Sequence, residues 1–389
     1  MRICDVCGFY APTGGGVRSY VDQKFAAARA HGHELTVIAP GDRTRIERRD
    51  GGRMLWIESP PMPFDPAYRR FAGPDRVWRA ISAAAPDLVE GSSPWGSGWI
   101  AAHWPGSAAR AFVFHQDFVA GYPQTLLGGL MAPEAVDRLF EPYWARLRRL
   151  SAAYDVTVAA SAWLAQRLEA FGVCRPTAVP FGIEAGRFSP ANSDPELRRR
   201  MLLACGAPED ASLVLAVGRL HPEKRPRTLI EGFARARSMS ARPLALAVIG
   251  DGPLRRQVER LAQAAGGVHV AGAIADRELL ARLYASADAL IHGSAAETFG
   301  LVVAEAIASG LPVAAPDAGG AAELARLGRS RTYPAGDADA LAEALLQLLA
   351  APRAAAPAPV ATSDQHFEAL FRLYQGLVDA RAAARLRAA

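Results

Sequence analysis

Residues 294–316 read SAAETFGLVVAEAIASGLPVAAP, a loop, an apolar helical segment and a strand-like run in succession. The helical part begins at Phe299-Gly300-Leu301, and the closing residues are typical of a buried strand. Glu297 and Glu305 both lie in this apolar stretch. Because carboxylates are rarely buried unless they are paired or hydrogen-bonded, the pattern indicates a polar ligand rich in hydroxyl groups near the two glutamates.

The succession of strand, glycine loop and helix recurs along the chain and predicts an α/β fold. Strand candidates in the first half are RICDVC, ELTVIAP, DLVEGS, RAFVFHQD and VTVAAS, and those in the second half are SLVLAVGRL, LALAVIGDG, VHVAG, ADALIHGS and LPVAAPD. The segment TAVPFGIEAGRFSPANSDP, rich in turn formers, separates the two series. We expect two Rossmann-like doubly wound domains facing across a cleft, residues 1–184 and 185–362, followed by a helix within residues 363–389.

The composition is that of an ordinary globular protein long enough for two domains. The chain has 389 residues, of which 50% are apolar and 21% charged, and its net charge is +5. Arginines spread over both halves give this charge, which argues against a nucleic-acid partner. No apolar run reaches the ~18 residues of a membrane span, and MRICDVCGFYAP lacks the layout of a signal peptide. We therefore expect a cytoplasmic protein, either soluble or at the inner face of the membrane.

Two short motifs raise the question of a metal. Cys4 and Cys7 form a C-x-x-C in a strand candidate, but no second pair completes a cage. Asp337 and Asp339 form a D-x-D directly before a helical pattern, where the first aspartate fits a helix N-cap. We predict no metal at either motif.

Residues at strand ends indicate an anion site instead. Gly15 and Gly16 precede the first helix, whose free amides can bind a phosphate, although Ser19 breaks the dinucleotide fingerprint G-x-G-x-x-G and disfavours a nicotinamide enzyme. Arg219 and Lys224 follow the strand of VGRLHPEKR. A guanidinium fork and an ammonium at one strand end suit a diphosphate.

Polar ligand groups also occur around the helix that follows residue 299. The amides of Gly300 and Leu301 can hold a phosphate or sugar oxygen, and Glu297 and Glu305 can accept hydrogen bonds from sugar hydroxyls. In the first half, His115 ends the strand FVFHQD, where it can donate to a substrate oxygen or transfer a proton. A hydrogen-bonded structural histidine is an equally good interpretation of that residue.

Taken together, these stretches resemble the retaining glycosyltransferases of family 4, which share the two-domain GT-B fold. The matching elements are Gly15-Gly16-Val17, GRLHPEKR at 218–225, IGDGP at 249–253, the E-x7-E from Glu297 to Glu305, PFGIEAGRF at 180–188 and DAGGAAE at 317–323. They occur in the family's order and span nearly the whole chain. In one departure, Arg225 stands where glycine is common after the lysine, so the path of that loop is left open.

The resemblance implies a role for each matched residue. The catalytic set it implies is His115, Arg219, Lys224 and Glu297, with the two cations neutralising the donor diphosphate and Glu297 binding the donor sugar. The donor-binding set it implies is Gly15, Gly16, Gly218, Gly250, Phe299, Gly300, Leu301, Val302 and Glu305. Within that set, Glu305 would hold the nucleotide ribose. The C-terminal helix of the family crosses back onto the first domain.

We accordingly expect a metal-independent retaining hexosyltransferase that takes a UDP- or GDP-sugar as substrate and needs no cofactor. The first domain would then bind the acceptor. All seven tryptophans lie in the first half, as do the arginine clusters RTRIERR and YWARLRR. This combination fits a lipid or lipid-linked acceptor and peripheral membrane contact through the N-terminal domain, although most of these rings could be core residues. A sugar-nucleotide epimerase and a non-catalytic GT-B partner subunit are the alternatives.

Overall fold

A computed structural model describes residues 1–11, 16–63, 68–351 and 357–388. Contacts divide the chain into two compact units. The first unit comprises Met1–His115, Leu139–Pro180 and Ser363–Ala389, and the second comprises Gln116–Arg138 and Phe181–Thr362. Residues 116–138 therefore group with the second unit, whereas the expected boundary at residue 184 left them in the first domain.

The first unit is built on an eight-stranded sheet. Its strands are β1 (Arg2–Val6), β2 (Glu34–Gly41), β3 (Arg45–Arg49), β4 (Gly52–Glu58), β5 (Leu88–Gly91), β6 (Ala109–Phe114), β7 (Val156–Ala159) and β8 (Pro176–Ala178). Their spatial order is β3-β4-β2-β1-β5-β6-β7-β8, and β3 alone runs antiparallel to its neighbour. Strands β3 and β4 lie outside the strand candidates of the sequence. The direction of winding reverses between β1 and β5, which is where ligands bind in doubly wound sheets.

The second unit contains a six-stranded parallel sheet. Its strands are β9 (Ser212–Val217), β10 (Leu244–Ile249), β11 (Val268–Gly272), β12 (Ala289–Ile291), β13 (Val313–Pro316) and β14 (Arg331–Tyr333). They are ordered β11-β10-β9-β12-β13-β14, so the winding reverses between β9 and β12. Loops that leave the carboxyl ends of these two strands therefore emerge side by side.

Helices cover the sheets, as the sequence pattern predicts. They are α1 (Gly16–Ala30), α2 (Asp75–Ala84), α3 (Gly96–Ala102), α4 (Phe118–Gly121), α5 (Pro123–Leu127), α6 (Pro133–Leu139), α7 (Glu141–Ala152), α8 (Ala162–Ala170), α9 (Pro195–Ala204), α10 (Pro226–Met239), α11 (Arg255–Ala265), α12 (Arg277–Ser286), α13 (Leu301–Ala308), α14 (Gly320–Ala325), α15 (Ala338–Ala350) and α16 (Ser363–Ala388). Asp337 caps α15 by accepting hydrogen bonds from the amides of Asp339 and Ala340. That geometry is the N-cap expected for this D-x-D motif. No helix of the described residues is both long and apolar enough to cross a membrane.

Helix α16 contributes an apolar stripe to the core of the first unit. Phe367, Leu370, Phe371 and Tyr374 recur at intervals of three and four residues, which places them on one face of the helix. All four are buried in the cluster that also contains side chains of the central strands. The helix is thus an integral part of this unit's core.

A buried charge cluster lies at the centre of the first unit. Lys24 of α1 donates to Asp5 of β1 at 3.2 Å and to Glu90 of β5 at 2.5 Å, and all three side chains are at most 1% exposed. Tyr374 of α16 donates to Glu90 at 2.6 Å, and Ser92 donates to Asp5 at 2.5 Å. Burial and the neighbouring charge of Glu90 raise the pKa of Asp5 to about 6. One cation therefore links two strands, and both carboxylates depend on it.

Replacement of Lys24 by methionine is expected to lower the free energy of unfolding of the first unit by about 3–5 kcal/mol, because it leaves two buried carboxylates without their cation. Urea unfolding followed by circular dichroism measures the change. Arg29→Met on the same helix is the control, since its ion pair with Asp50 is largely exposed and is expected to contribute less than about 1 kcal/mol. Equal destabilisation by the two substitutions would contradict this account of the cluster.

Candidate functional site

Two loops of the second unit meet where β9 and β12 end. The loop after β9 contains a 3-10 turn at Pro222–Lys224, and the loop after β12 begins at His292-Gly293. A Cβ atom on Gly293 would lie 2.4 Å from the carbonyl oxygen of Lys224, so a larger residue does not fit there. Arg225 then donates from its guanidinium to the carbonyl of Gly293 at 3.1 Å. The two loops are held in direct contact.

The backbone at Arg225 accounts for the departure noted in its sequence. Arg225 has a φ of 44°, in the left-handed region that favours glycine. An arginine there carries a strain that glycine avoids, and its side chain gains the hydrogen bond to Gly293. The loop path is thus the one a glycine would take, with an added tie between the two loops.

Lys224 and Glu297 form an ion pair between these loops. The ammonium donates to Oε1 of Glu297 at 2.5 Å, and the side chains are 24% and 18% exposed. Nε2 of buried His292 lies 3.3 Å from the same oxygen. Burial opposes ionisation of Glu297, but the charge of Lys224 and the neighbouring imidazole of His292 hold its pKa well below the usual range. Burial likewise lowers the pKa of Lys224, and the attraction of Glu297 and Glu223 more than reverses this, so the pKa is raised.

Arg219 lies beside this pair and is more accessible. Its guanidinium is 3.6 Å from Oε1 of Glu223, and the ammonium of Lys224 is at the same distance from that oxygen. The Arg219 side chain is 66% exposed, whereas that of Glu223 is 10% exposed. Two cations thus converge on one buried carboxylate, with Arg219 open to solvent. Such a pair can contact the oxygens of a diphosphate.

Glu305 lies inside α13 and has its own partners. It is 4% exposed, as the apolar neighbours in its sequence predict. Arg277, the first residue of α12, donates to Oε1 at 2.6 Å, and Tyr284 donates to Oε2 at 3.2 Å. Burial raises the pKa of Glu305, and the two donors only partly offset this. No hydrogen bond between Glu297 and Glu305 occurs among the described residues.

Glycines at the strand ends allow the backbone to come close to itself. A Cβ atom on Gly250 would lie 1.8 Å from the carbonyl oxygen of Gly218, and both glycines have φ near 150°. Gly300 caps the start of α13 with a φ of 96°, and a Cβ there would be 3.2 Å from the Cα of Ala321. The amide of Gly320 donates to the carbonyl of Glu297 at 2.7 Å. These contacts fix the loop that carries Glu297.

The remaining residues of the predicted donor set surround the start of α13. Phe299 is buried, with its ring 6.0 Å from that of Phe181. Leu301 is 41% exposed and Val302 is partly exposed. Their amides are the first two of α13, where the N–H groups have no carbonyl four residues back within the helix, whereas the next two amides, of Val303 and Ala304, donate to the carbonyl of Gly300. The helix start therefore offers backbone donors next to the Lys224–Glu297 pair.

Three predicted residues belong to the first unit. Gly15 lies outside the described residues. Gly16 is the first residue of α1 and is exposed. His115 follows β6, and its ring stands edge-on to Tyr20 at a centroid distance of 5.1 Å. Burial, with smaller effects from Lys24 and His366, lowers the pKa of His115 to about 4, so the ring is neutral at pH 7.

Sequence reasoning missed three residues of this site: His292, Arg277 and Tyr284. Arg277 and Tyr284 donate hydrogen bonds to Glu305, and the ring of His292 lies beside Glu297. A signal existed for Arg277, because it follows the N-cap Asp276 in the first helix after β11, so it begins a helix on the carboxyl side of a strand. His292 and Tyr284 gave no comparable signal, since both lie in apolar segments typical of a core.

The site therefore combines a cationic edge, two carboxylates and a helix start. Cations and free amides can bind phosphate oxygens, and carboxylates can accept hydrogen bonds from the hydroxyl groups of sugars. Among the described residues, no group of three or more His, Cys, Asp or Glu side chains has the proximity needed to hold a metal ion. This chemistry matches a nucleotide sugar better than a nicotinamide or a nucleic acid.

Comparison with known proteins identifies the family. The model of Glycosyltransferase Family 4 matches residues 14–187, and that of Glycosyl transferases group 1 matches residues 204–358. The chain belongs to glycosyltransferase family 4. Its two parallel-sheet α/β units are the Rossmann-like domains of the GT-B fold, and sucrose-phosphate synthase from Thermosynechococcus elongatus shares this fold with a TM-score of 0.70 and 20% identity over 100% of this chain and 98% of that one.

Family 4 relatives are similar over most of the chain. A GDP-mannose-dependent alpha-mannosyltransferase of Mycobacterium tuberculosis is 34% identical over 83% of this chain and 81% of its own length. A GDP-mannose-dependent alpha-(1-6)-phosphatidylinositol monomannoside mannosyltransferase of Mycolicibacterium smegmatis is 31% identical over 90% of both chains. The predicted family and fold are confirmed.

Substitution of Gly300 by alanine tests the backbone constraint at the start of α13. We expect a loss of about 1–3 kcal/mol in the free energy of unfolding of the second unit, because alanine is strained at a positive φ. Gly376→Ala is the matched control, since Gly376 lies in α16 with no atom within 4 Å of the added Cβ. Because alanine favours a helix more than glycine does, Gly376→Ala is expected to raise the free energy of unfolding of the first unit by about 0.5–1 kcal/mol. A neutral Gly300→Ala in urea unfolding would refute the constraint.

Proposed function

We propose that this glycosyltransferase transfers mannose from GDP-mannose to a hydroxyl group of an inositol phospholipid, with retention of the anomeric configuration and without a metal. The observation that carries the proposal is the Lys224–Glu297 pair beside the start of α13. Three functions required for donor binding are adjacent there: a cation for the diphosphate, a carboxylate for the sugar and free amides. The relatives that bear GDP-mannose in their names support the choice of donor.

In the proposed mechanism, the two cations supply the charge that a metal would otherwise supply. Arg219 and Lys224 bind the diphosphate and stabilise the negative charge that develops on it as the bond to the sugar breaks. Glu297 accepts a hydrogen bond from the sugar and orients it. The acceptor hydroxyl attacks from the face that the diphosphate leaves, through an oxocarbenium-like state, and its proton passes to the leaving diphosphate. The anomeric configuration is thereby retained.

The acceptor side of the proposal involves the first unit. His115 is neutral at pH 7 and can therefore donate one hydrogen bond to a substrate oxygen while it accepts another. Gly15 and Gly16 would lie against the diphosphate, as the family resemblance implies. A relative that acts on a phosphatidylinositol monomannoside supports a lipid acceptor, and with it peripheral contact at the inner face of the membrane.

Replacement of Lys224 by alanine is expected to lower kcat by about 10²–10³-fold, the loss typical of removing one fixed transition-state donor. Because Lys224 also holds the pKa of Glu297 low, the residual activity should fall on acidification at a higher pH than that of the unmodified protein. Transfer of radiolabelled mannose to phosphatidylinositol vesicles measures both effects. Arg227→Ala is the control, since the Arg227 side chain is exposed and pairs with Glu231, one turn further along α10. Unchanged turnover in Lys224→Ala would overturn the assignment.

A donor screen tests the substrate itself. A ligand that binds only the folded state raises its melting temperature, so GDP-mannose is expected to raise it more than UDP-glucose or ADP-glucose does. Product analysis after incubation without an acceptor separates the alternatives: an epimerase would release a modified nucleotide sugar. A non-catalytic subunit would bind the donor and produce nothing, even with phosphatidylinositol present. Either result would refute the proposed transfer.

A further inference from the structure

The carboxylate of Glu305 has a fixed orientation before any ligand binds. Arg277 donates to one oxygen at 2.6 Å and Tyr284 donates to the other at 3.2 Å. A carboxylate offers about four acceptor positions, so these two bonds leave about two for a ligand. A vicinal diol needs two acceptor positions on one carboxylate group. The geometry thus suits a ribose, provided that the carboxyl group stays ionised and does not rotate.

Arg277 is itself held by the segment that follows β8. Its guanidinium lies 5.0 Å above the ring of Phe188, within the range of a cation–π contact, and 3.9 Å from Oε1 of Glu184. Phe188 is 5% exposed, and its ring also stands edge-on to Tyr284 at 5.9 Å. The segment therefore sets the position of both donors to Glu305.

From these contacts we infer that Arg277 is a positioning residue for the nucleotide ribose, which keeps Glu305 ionised and aims its free acceptor positions at the two ribose hydroxyls. The inference rests on the proposed function, since it assigns the ribose of the donor to Glu305. Arg277 acts through Glu305 and needs no contact with the ligand. Burial disfavours the ionised form of Glu305. Without the arginine, the Tyr284 hydroxyl would be the one donor of those two left to stabilise that form.

The test compares GDP with 2′-deoxy-GDP as ligands, by isothermal titration calorimetry on the full chain. The unmodified protein is expected to bind GDP about 10–100-fold more tightly than 2′-deoxy-GDP, the span typical of losing a hydrogen bond to a buried charged group. In Arg277→Gln, the affinity for GDP should fall to about that for 2′-deoxy-GDP, so that the preference for the 2′-hydroxyl disappears. A general loss of structure would lower the affinities for both nucleotides and leave the ratio of the two affinities unchanged.

Two further variants separate positioning from packing. Arg277→Lys keeps a cation near Glu305 and should recover part of the preference, whereas Arg277→Gln added to Glu305→Gln should have no further effect on GDP affinity. Arg282→Gln is the matched control on the same helix, because Arg282 forms its ion pair with Asp194. It should bind both nucleotides like the unmodified protein. Melting temperatures of all variants report on folding.

The outcomes distinguish this inference from the proposed function. If the unmodified protein binds neither GDP nor UDP, the proposed function and the inference both fail. If it binds GDP with the 2′-hydroxyl preference and Arg277→Gln retains that preference, only the inference is overturned. The same holds if Arg277→Gln weakens binding further in the Glu305→Gln background, since Arg277 would then act by a route other than Glu305.

Discussion

Four carboxylates that the folded chain removes wholly or largely from water, Asp5, Glu90, Glu297 and Glu305, are each compensated by a basic side chain. An ionised carboxylate cannot remain inside a protein without such compensation, because its lost hydration is worth several kcal/mol or more. Lys224 meets this requirement for Glu297, Arg277 meets it for Glu305, and Lys24 meets it for Asp5 and Glu90 together. In each case the partner comes from a different secondary-structure element. Charge compensation therefore joins loops, helices and strands that hydrophobic packing alone would leave free to shift.

Close backbone approach is the second constraint, and it acts on the same loops. The carbonyl of Lys224 packs against Gly293, and that of Gly218 packs against Gly250. A Cβ atom at either glycine would clash with the carbonyl oxygen. Because the loops after β9 and β12 lie so close together, the side chains of Lys224 and Glu297 are long enough to form their ion pair. A fixed cation is more useful in catalysis than a mobile one, because it needs no reorganisation when charge develops on the leaving group. Glycine in these loops thus contributes to the electrostatics of the site.

The sequence predicts the two parallel sheets and the polar ends of their strands, because those features depend on local pattern. The helix at Leu301–Ala308, the N-cap at Asp337 and the strand before Arg219 lie where their patterns indicate. The partners of the glutamates could not be predicted in the same way. Arg277 and Glu305 are 28 positions apart, and Lys224 and Glu297 are 73 positions apart. Their meeting depends on the order of strands in the sheet, which periodicity does not specify. The grouping of residues 116–138 with the second unit is likewise a property of tertiary contacts.

The two glutamates differ in a way that suits two different tasks. The pKa of Glu297 is held low by its main partner, Lys224, whose ammonium can also bind a diphosphate. Glu305 has a raised pKa and a partner, Arg277, that is packed on Phe188. An ammonium is a point charge that two anions can share, whereas a stacked guanidinium keeps its planar geometry. The carboxylate proposed for the reacting sugar is thus paired with an ammonium that the diphosphate can share, and the carboxylate proposed for the unreactive ribose with a guanidinium packed on an aromatic ring.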